Sequence, residues 1–165
     1  MTDLVSHGVP DDVDPDDWRL RLSGAVADAL ALTRADLASF PLEAFRGDFA
    51  CEEGWVAEDL TWRGVRVGTL LDRAGVTDDG EYALVRAMDG DYACSFPLDR
   101  LAESVLALEL DGDPLDVEHG GPVRLVPTHD DRDCWESIKW VSAIEVTTSK
   151  PTGDTAREIA LGRIN

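Results

Sequence analysis

Lysine is almost missing from this chain. Of 15 basic residues among 165, only Lys139 and Lys150 are lysines, set against 34 acidic residues and a formal net charge of -19. A surface of that sign repels nucleic acid and anionic lipid, which excludes both as partners. Cysteine is scarce as well: Cys51, Cys94 and Cys134 lie about forty residues apart with no Cys-x-x-Cys, and an odd count in a reducing compartment excludes a disulfide framework. No stretch approaches the roughly 20 apolar residues of a membrane span. The opening "MTDLVSHGVPDDVDPDD" has neither the positive n-region nor the apolar core of an export signal, and it contains no twin arginine. These absences give the expectation of a cytosolic protein.

Aspartate (23) outnumbers glutamate (11), and the acids are spread along the chain. That pattern reads as a solvated acidic surface and not as a disordered acidic tail. It suits a cytosol rich in salt, where screening removes most of the self-repulsion; an ordinary acidic protein is the plainer alternative. A length of 165 residues suits one domain with one core. The expected organisation is a core from about residue 10 to 148, followed by a tail or helix over 149–165.

Short strand signals dominate. "DDWRLRLSG" alternates Trp18, Leu20 and Leu22 with polar residues and closes at Gly24, the period of a half-buried strand. "TRADLASF" predicts a short helix capped by Thr33 with Asp36 three residues on. "WRGVRV" is another alternating strand, and "GTLLDRAG" a helix ending at Gly75. "EYALVRAM" and "DYACSF" flank Asp89-Gly90, a hairpin signal, and "VLALEL" runs into a second tight turn at Asp111-Gly112. "GPVRLVP" and "SIKWVSAIEVTT" supply the last strands, separated by the polar loop "THDDRDCWE". The predicted class is α+β, with mixed or antiparallel sheets and short helices.

Three stretches carry candidate chemistry. In "FACEEGW" Cys51 stands where a strand pattern, read as buried, gives way to loop, with Gly54 permitting close approach of the backbone. A lone cysteine is ordinarily a small hydrophobe in a core, yet a thiolate at such a place suits a soft or high-valent metal and not magnesium or calcium. In "EHGGPVRLVP" a turn at Gly120-Gly121-Pro122 separates His119 from Arg124. In "WESIKWVSAIEV" Lys139 lies between Ile138 and Trp140. A guanidinium, an imidazole and an ammonium together, in a chain this acidic, read as an anion site for a phosphate-like group. The plainer readings are a loop histidine, a strand arginine and a snorkelling lysine. Cys94, alternating within "YACSF", reads as packing. Cys134 beside His129 leaves open a thiol nucleophile, and Cys51 and Cys134 with His119 and His129 leave open a zinc site without the short paired spacings that make zinc motifs specific.

Taken in order from about Pro10 to about Val146, these stretches resemble the sulfite oxidase-like family of molybdopterin-dependent oxidoreductases, in its short, catalytic-domain-only form. "VPDDVDPDDWRLRLSG" is similar to that family's opening strand, "CEEGW" to the segment carrying its metal-binding cysteine, and "TWRGVRVGTLLDRAG" to the segment that follows. "DGDYACSFPL" resembles its central hairpin, and "HGGPVRLVP" with "SIKWVSAIEV" its cofactor-binding end.

The resemblance implies a molybdenum-molybdopterin cofactor, with Cys51 as thiolate ligand to molybdenum beside the pterin dithiolene and oxo groups. It implies that His119, Arg124, Ser137, Ile138 and Lys139 hold the pyranopterin and its phosphate, with Asp89 and His7 matching more loosely. The implied activity is oxygen-atom transfer on a small-molecule substrate or an oxidised side chain. A separate electron carrier is expected, because no haem, iron-sulfur or flavin motif occurs. A pterin carrier of the same fold without turnover is the alternative. The family's immunoglobulin-like dimerisation domain has no counterpart in these residues. The loop "THDDRDCWE" departs from the family in its length and acidity, offering Arg132 among Asp130, Asp131 and Asp133. Sulfite, a dianion, is therefore not the first choice of substrate.

Overall fold

The computed structural model describes residues 18–50, 56–88, 93–116, 120–128 and 138–149. Two sheets carry the fold. The first is built from β1 (Leu20–Gly24), β2 (Leu30–Leu32), β5 (Tyr82–Ala87), β6 (Ala93–Pro97) and β10 (Val141–Thr147), in the order β2-β1-β10-β5-β6. The second runs β3 (Glu43–Ala50), β4 (Val56–Arg66), β7 (Val105–Leu110), β8 (Asp113–Pro114), with β9 (Arg124–Val126) also paired to β7. All pairings are antiparallel except β1 with β10, where Arg21 lies opposite Ala143 and Gly24 opposite Val146. Among the described residues, three helices of at most eight residues complete it: α1 (Arg34–Ala38), α2 (Val67–Ala74) and α3 (Leu98–Glu103). The α+β class with mixed sheets and short helices is what the alternating patterns predicted.

Local signals account for most of these boundaries. Thr33 and Asp36 form a reciprocal capping box: the Asp36 N–H donates to Thr33 Oγ1 at 3.1 Å and the Thr33 N–H to the Asp36 carboxylate at 2.9 Å. The Thr33 backbone hydrogen bond, followed by its hydroxyl, holds the Asp36 carboxyl below the usual carboxylate range. Gly75 ends α2 at φ 73, a conformation costly for any residue with a Cβ, and its N–H returns to Leu71 O at 2.9 Å. β7 and β8 join through Asp111 and Gly112, both at positive φ, as the tight-turn signal required.

α3 was not among the expected elements, although Pro97 at its start and the spacing of Leu98, Leu101 and Ala102 are a readable helix signal. β3 lies at the edge of the second sheet, with Glu43, Ala44 and Arg46 exposed. The residues from 149 onward that were expected to form a tail or helix fall, from Lys150, outside the described residues.

The main core lies between the sheets. Leu20, Leu22, Val85, Phe96 and Ile144 of the first sheet meet Val65, Leu106 and Leu125 of the second, with Leu37, Leu70 and Leu101 from the three helices. The Trp18 indole N–H donates to Val141 O at 2.7 Å, anchoring the entry to β1 against β10. The opposite face of the second sheet carries a smaller apolar cluster of Trp62, Ala107, Leu115 and Val126, with Phe45 and Leu110 against it. Strand periodicity makes this division: Leu106 and Leu125 pair on one face, Ala107 and Arg124 on the other.

Candidate functional site

Arg124 sits on that second face and is 4% exposed, an unusual burial for a guanidinium. Its Cζ lies 5.2 Å from the centroid of the Trp62 ring. β9 is carried there by two ladders, with β7 through the pairs Val105 with Val126 and Ala107 with Arg124, and with the 138–141 turn. In that turn the Leu125 N–H donates to Ile138 O at 2.8 Å and the Ile138 N–H to Leu125 O at 3.1 Å. The Val141 N–H donates to Val123 O at 3.1 Å.

Lys139 follows from the same turn. Trp140 adopts φ 54, rare for a bulky residue. That conformation is held at both ends: its N–H donates to Gly120 O at 3.0 Å and its C=O accepts from the Met88 N–H at 2.7 Å. The Lys139 Nζ is 5.7 Å from the Trp140 ring centroid, and Lys139 is half-buried.

Gly120 lies against the stems of both side chains. A Cβ there would stand 2.9 Å from Lys139 Cγ and 3.1 Å from Arg124 Cδ, and the residue is at φ 102. Only glycine lets both stems close on this point. We expect Gly120→Ala to cost roughly 1–3 kcal/mol in stability from backbone strain alone and to spread the two cations apart. Thermal unfolding with and without inorganic phosphate checks this. A phosphate-induced rise in midpoint of equal size in both proteins would show that the glycine does not space the pair.

The arrangement can bind an anion. A buried planar fork and a half-buried compact ammonium, each set beside an indole ring, offer charge-assisted hydrogen bonds of the stronger kind. Of the expected site residues, the structure brings Arg124 and Lys139 together. Ile138 it turns into the main core, fully buried, with both backbone groups used in the pair with Leu125. Cys51, His119, Ser137, Asp89 and His7 lie outside the described residues, as do His129, Arg132 and Cys134. β3 ends at Ala50, so a strand does lead directly to Cys51.

Cys94 packs in the core as expected, its thiol buried. Among the described residues no three His, Cys, Asp or Glu side chains come together as a metal site. Two grooves of about 450 Å³ open elsewhere: one floored by Leu71, Val76, Leu98 and Ala102 and rimmed by Asp72, Glu81 and Asp99, the other by Leu30, Leu32, Phe40 and Pro41. Neither includes the cationic pair. No helix among the described residues is long and apolar enough to cross a membrane.

Trp62 and Gly120 were not singled out by the sequence. Alternation in "WRGVRV" marks Trp62 as buried but not which face it occupies, and the Gly-Gly-Pro run reads as a turn without saying what crosses it. A tryptophan is the strongest ring partner for a cation, which is the signal that could have found it.

Similarity to known proteins bears on this site. The family model described as the oxidoreductase molybdopterin binding domain matches residues 6–155. The uncharacterised oxidoreductase YuiH of Bacillus subtilis (strain 168) is 35% identical over 152 residues, covering 91% of this chain and 75% of that protein. Mitochondrial sulfite oxidase of Homo sapiens is 31% identical over 144 residues, covering 69% of this chain and 26% of that protein. Among solved structures, the sulfane dehydrogenase SoxCD from Paracoccus pantotrophus matches with a TM-score of 0.77 at 25% identity, over 84% of this chain and 40% of that one. The chain thus spans well under half the length of the last two.

Proposed function

Because the chain belongs to the sulfite oxidase-like family of molybdopterin-dependent oxidoreductases, we propose that it transfers an oxygen atom to or from a small molecule or an oxidised side chain, with Cys51 as the protein's own ligand to molybdenum. The observation that carries this reading is the closing of Arg124 and Lys139 on Gly120, in a chain where positive charge is otherwise sparse. That pair fits the anionic end of a molybdopterin, because two positive donors of different shape can share one phosphate.

When bound, the molybdenum cofactor supplies the two-electron couple and the oxygen-atom transfer itself. The chain's own residues do the rest. Arg124 and Lys139 bind the phosphate, and Gly120 allows their approach. Ile138 and the Trp140 turn fix the height of Lys139 above the sheet, while the small apolar cluster around Trp62 keeps water from the guanidinium. His119, directly before Gly120, and Ser137, directly before Ile138, extend the same site in the chain. The Cys51 thiolate, following β3, gives the metal a soft protein ligand. His7 and Asp89 are proposed as further pterin contacts. Electrons pass to a separate carrier, and the acidic loop over residues 128–136 tunes which substrate is accepted.

The test is elemental analysis with pterin fluorescence on protein produced in a host that makes the cofactor. One molybdenum and one pterin per chain, with turnover on one of sulfite, sulfoxides, N-oxides or chlorate at low or high salt, is the expected result. Pterin without turnover on any of them marks a carrier instead, and zinc in place of molybdenum sinks both readings.

A further inference from the structure

We propose that Trp62 is a positioning residue for the anion site, its indole holding the Arg124 guanidinium in the orientation that meets a phosphate. The inference rests on the proposed reading only for the identity of the anion.

The sheet geometry makes the contact specific. β4 and β9 flank β7 on opposite sides, so their backbones are about 10 Å apart, two inter-strand spacings. Side chains on them meet only where the middle strand offers nothing tall. The residue between is Ala107, paired with Gly64 on one side and Arg124 on the other. Gly64 has no room for a side chain, since a Cβ there would stand 1.9 Å from Leu106 O. Two residues before Gly64, across a register shift between β4 and β7, comes Trp62, which packs in the same small cluster as Ala107. Two of the longest side chains thus face each other across two of the smallest, and the guanidinium carbon lies 5.2 Å from the ring centroid.

Packing alone does not call for this arrangement. Trp62 is fully buried, yet on the face away from the main core, in a cluster whose other buried members are Ala107, Leu115 and Val126. An arginine side chain loses much rotamer freedom when it binds. An indole that already restrains it, with water excluded, removes part of that loss before the anion arrives.

Two variants separate positioning from bulk. Trp62→Phe keeps an aromatic face, whereas Trp62→Leu keeps an apolar side chain without one. Inorganic phosphate is titrated by calorimetry into full-length protein made in a host lacking the cofactor, and pterin content is measured separately in protein from a competent host. We expect Trp62→Leu to weaken phosphate binding about tenfold and Trp62→Phe by no more than about threefold, a difference of the size a buried cation-aromatic contact carries. In an Arg124→Gln background the Leu and Phe variants should bind phosphate alike. A third variant, Ala107→Val, raises the middle strand and should weaken phosphate binding with both partners intact. Equal weakening by Leu and Phe, a difference that persists without Arg124, or no measurable phosphate binding by the wild type overturns the inference. Absence of pterin from wild-type protein of the competent host, with the phosphate pattern as expected, overturns the molybdopterin reading and leaves the role of Trp62 standing.

Discussion

Cys51→Ser protein is expected to keep its pterin and to lose one sulfur from the coordination of its molybdenum. A serine hydroxyl is a hard and weakly acidic replacement for a thiolate, poorly matched to a high-valent metal with sulfur already around it. In the proposed reading the phosphate end of the cofactor is held by Arg124 of β9 and Lys139 of the turn before β10, so retention is separable from ligation. X-ray absorption at the molybdenum edge reads the sulfur count directly. Turnover should fall by more than the roughly 10- to 100-fold that loss of an outer partner of a metal ligand costs. Cys94→Ala is the control, because that thiol is packed among core residues. It should cost about 1 kcal/mol in stability, as a small core truncation does, and leave both metal and activity in place. An unchanged sulfur count in the Cys51 variant would end the assignment of that residue.

Arg124→Gln carries the second large effect. The substitution keeps most of the stem and removes the charge, and a hydrogen bond to a charged partner contributes about 1.5–3 kcal/mol, which is roughly 10- to 150-fold in affinity. Pterin retained after dilution should fall by that factor, while circular dichroism and the unfolding midpoint stay near wild type. Lys139→Ala should act in the same direction but more weakly, since Lys139 is half-buried and shares its charge with water. Salt sharpens the prediction. The net charge of -19 repels any anion at low ionic strength, and screening removes that long-range term while affecting the buried Arg124 contact little. Retention in the wild type should therefore hold as salt is raised, and the deficit of the Arg124 variant should persist. Equal retention with a large drop in midpoint would mean that Arg124 serves the fold and not a ligand.

What was legible in the sequence follows from what is local. The capping box at Thr33 and Asp36, the left-handed stop at Gly75 and the turn at Asp111-Gly112 each depend on a few adjacent residues, and each stands where the pattern put it. Arg124 and Lys139 stood out because a lysine is rare here: in so acidic a chain an arginine and a lysine in apolar surroundings ask for a partner. What escaped depends on residues far apart. The parallel pairing of β1 with β10 joins positions separated by most of the chain, and no period within either strand announces it. Which face Trp62 occupies is decided by β7 and β9, not by the strand it belongs to. The strand before Cys51 was legible only at its end, because Glu43, Ala44 and Arg46 at its start are exposed and give no alternation.

The position of β10 has a temporal meaning. It lies between β1 and β5, so the order of strands in the first sheet is not the order in which a ribosome makes them. Until residues 141–147 emerge, β1 has only β2 beside it and β5 only β6, two separate hairpins with no sheet between them. Lys139 precedes that strand by two residues and lies in the turn that leads into it, so Lys139 reaches its place beside Gly120 and Arg124 in the event that finishes the sheet. If the pair holds a cofactor as proposed, half-made chains lack the means to capture it, and translation itself sets the earliest moment at which it can be loaded.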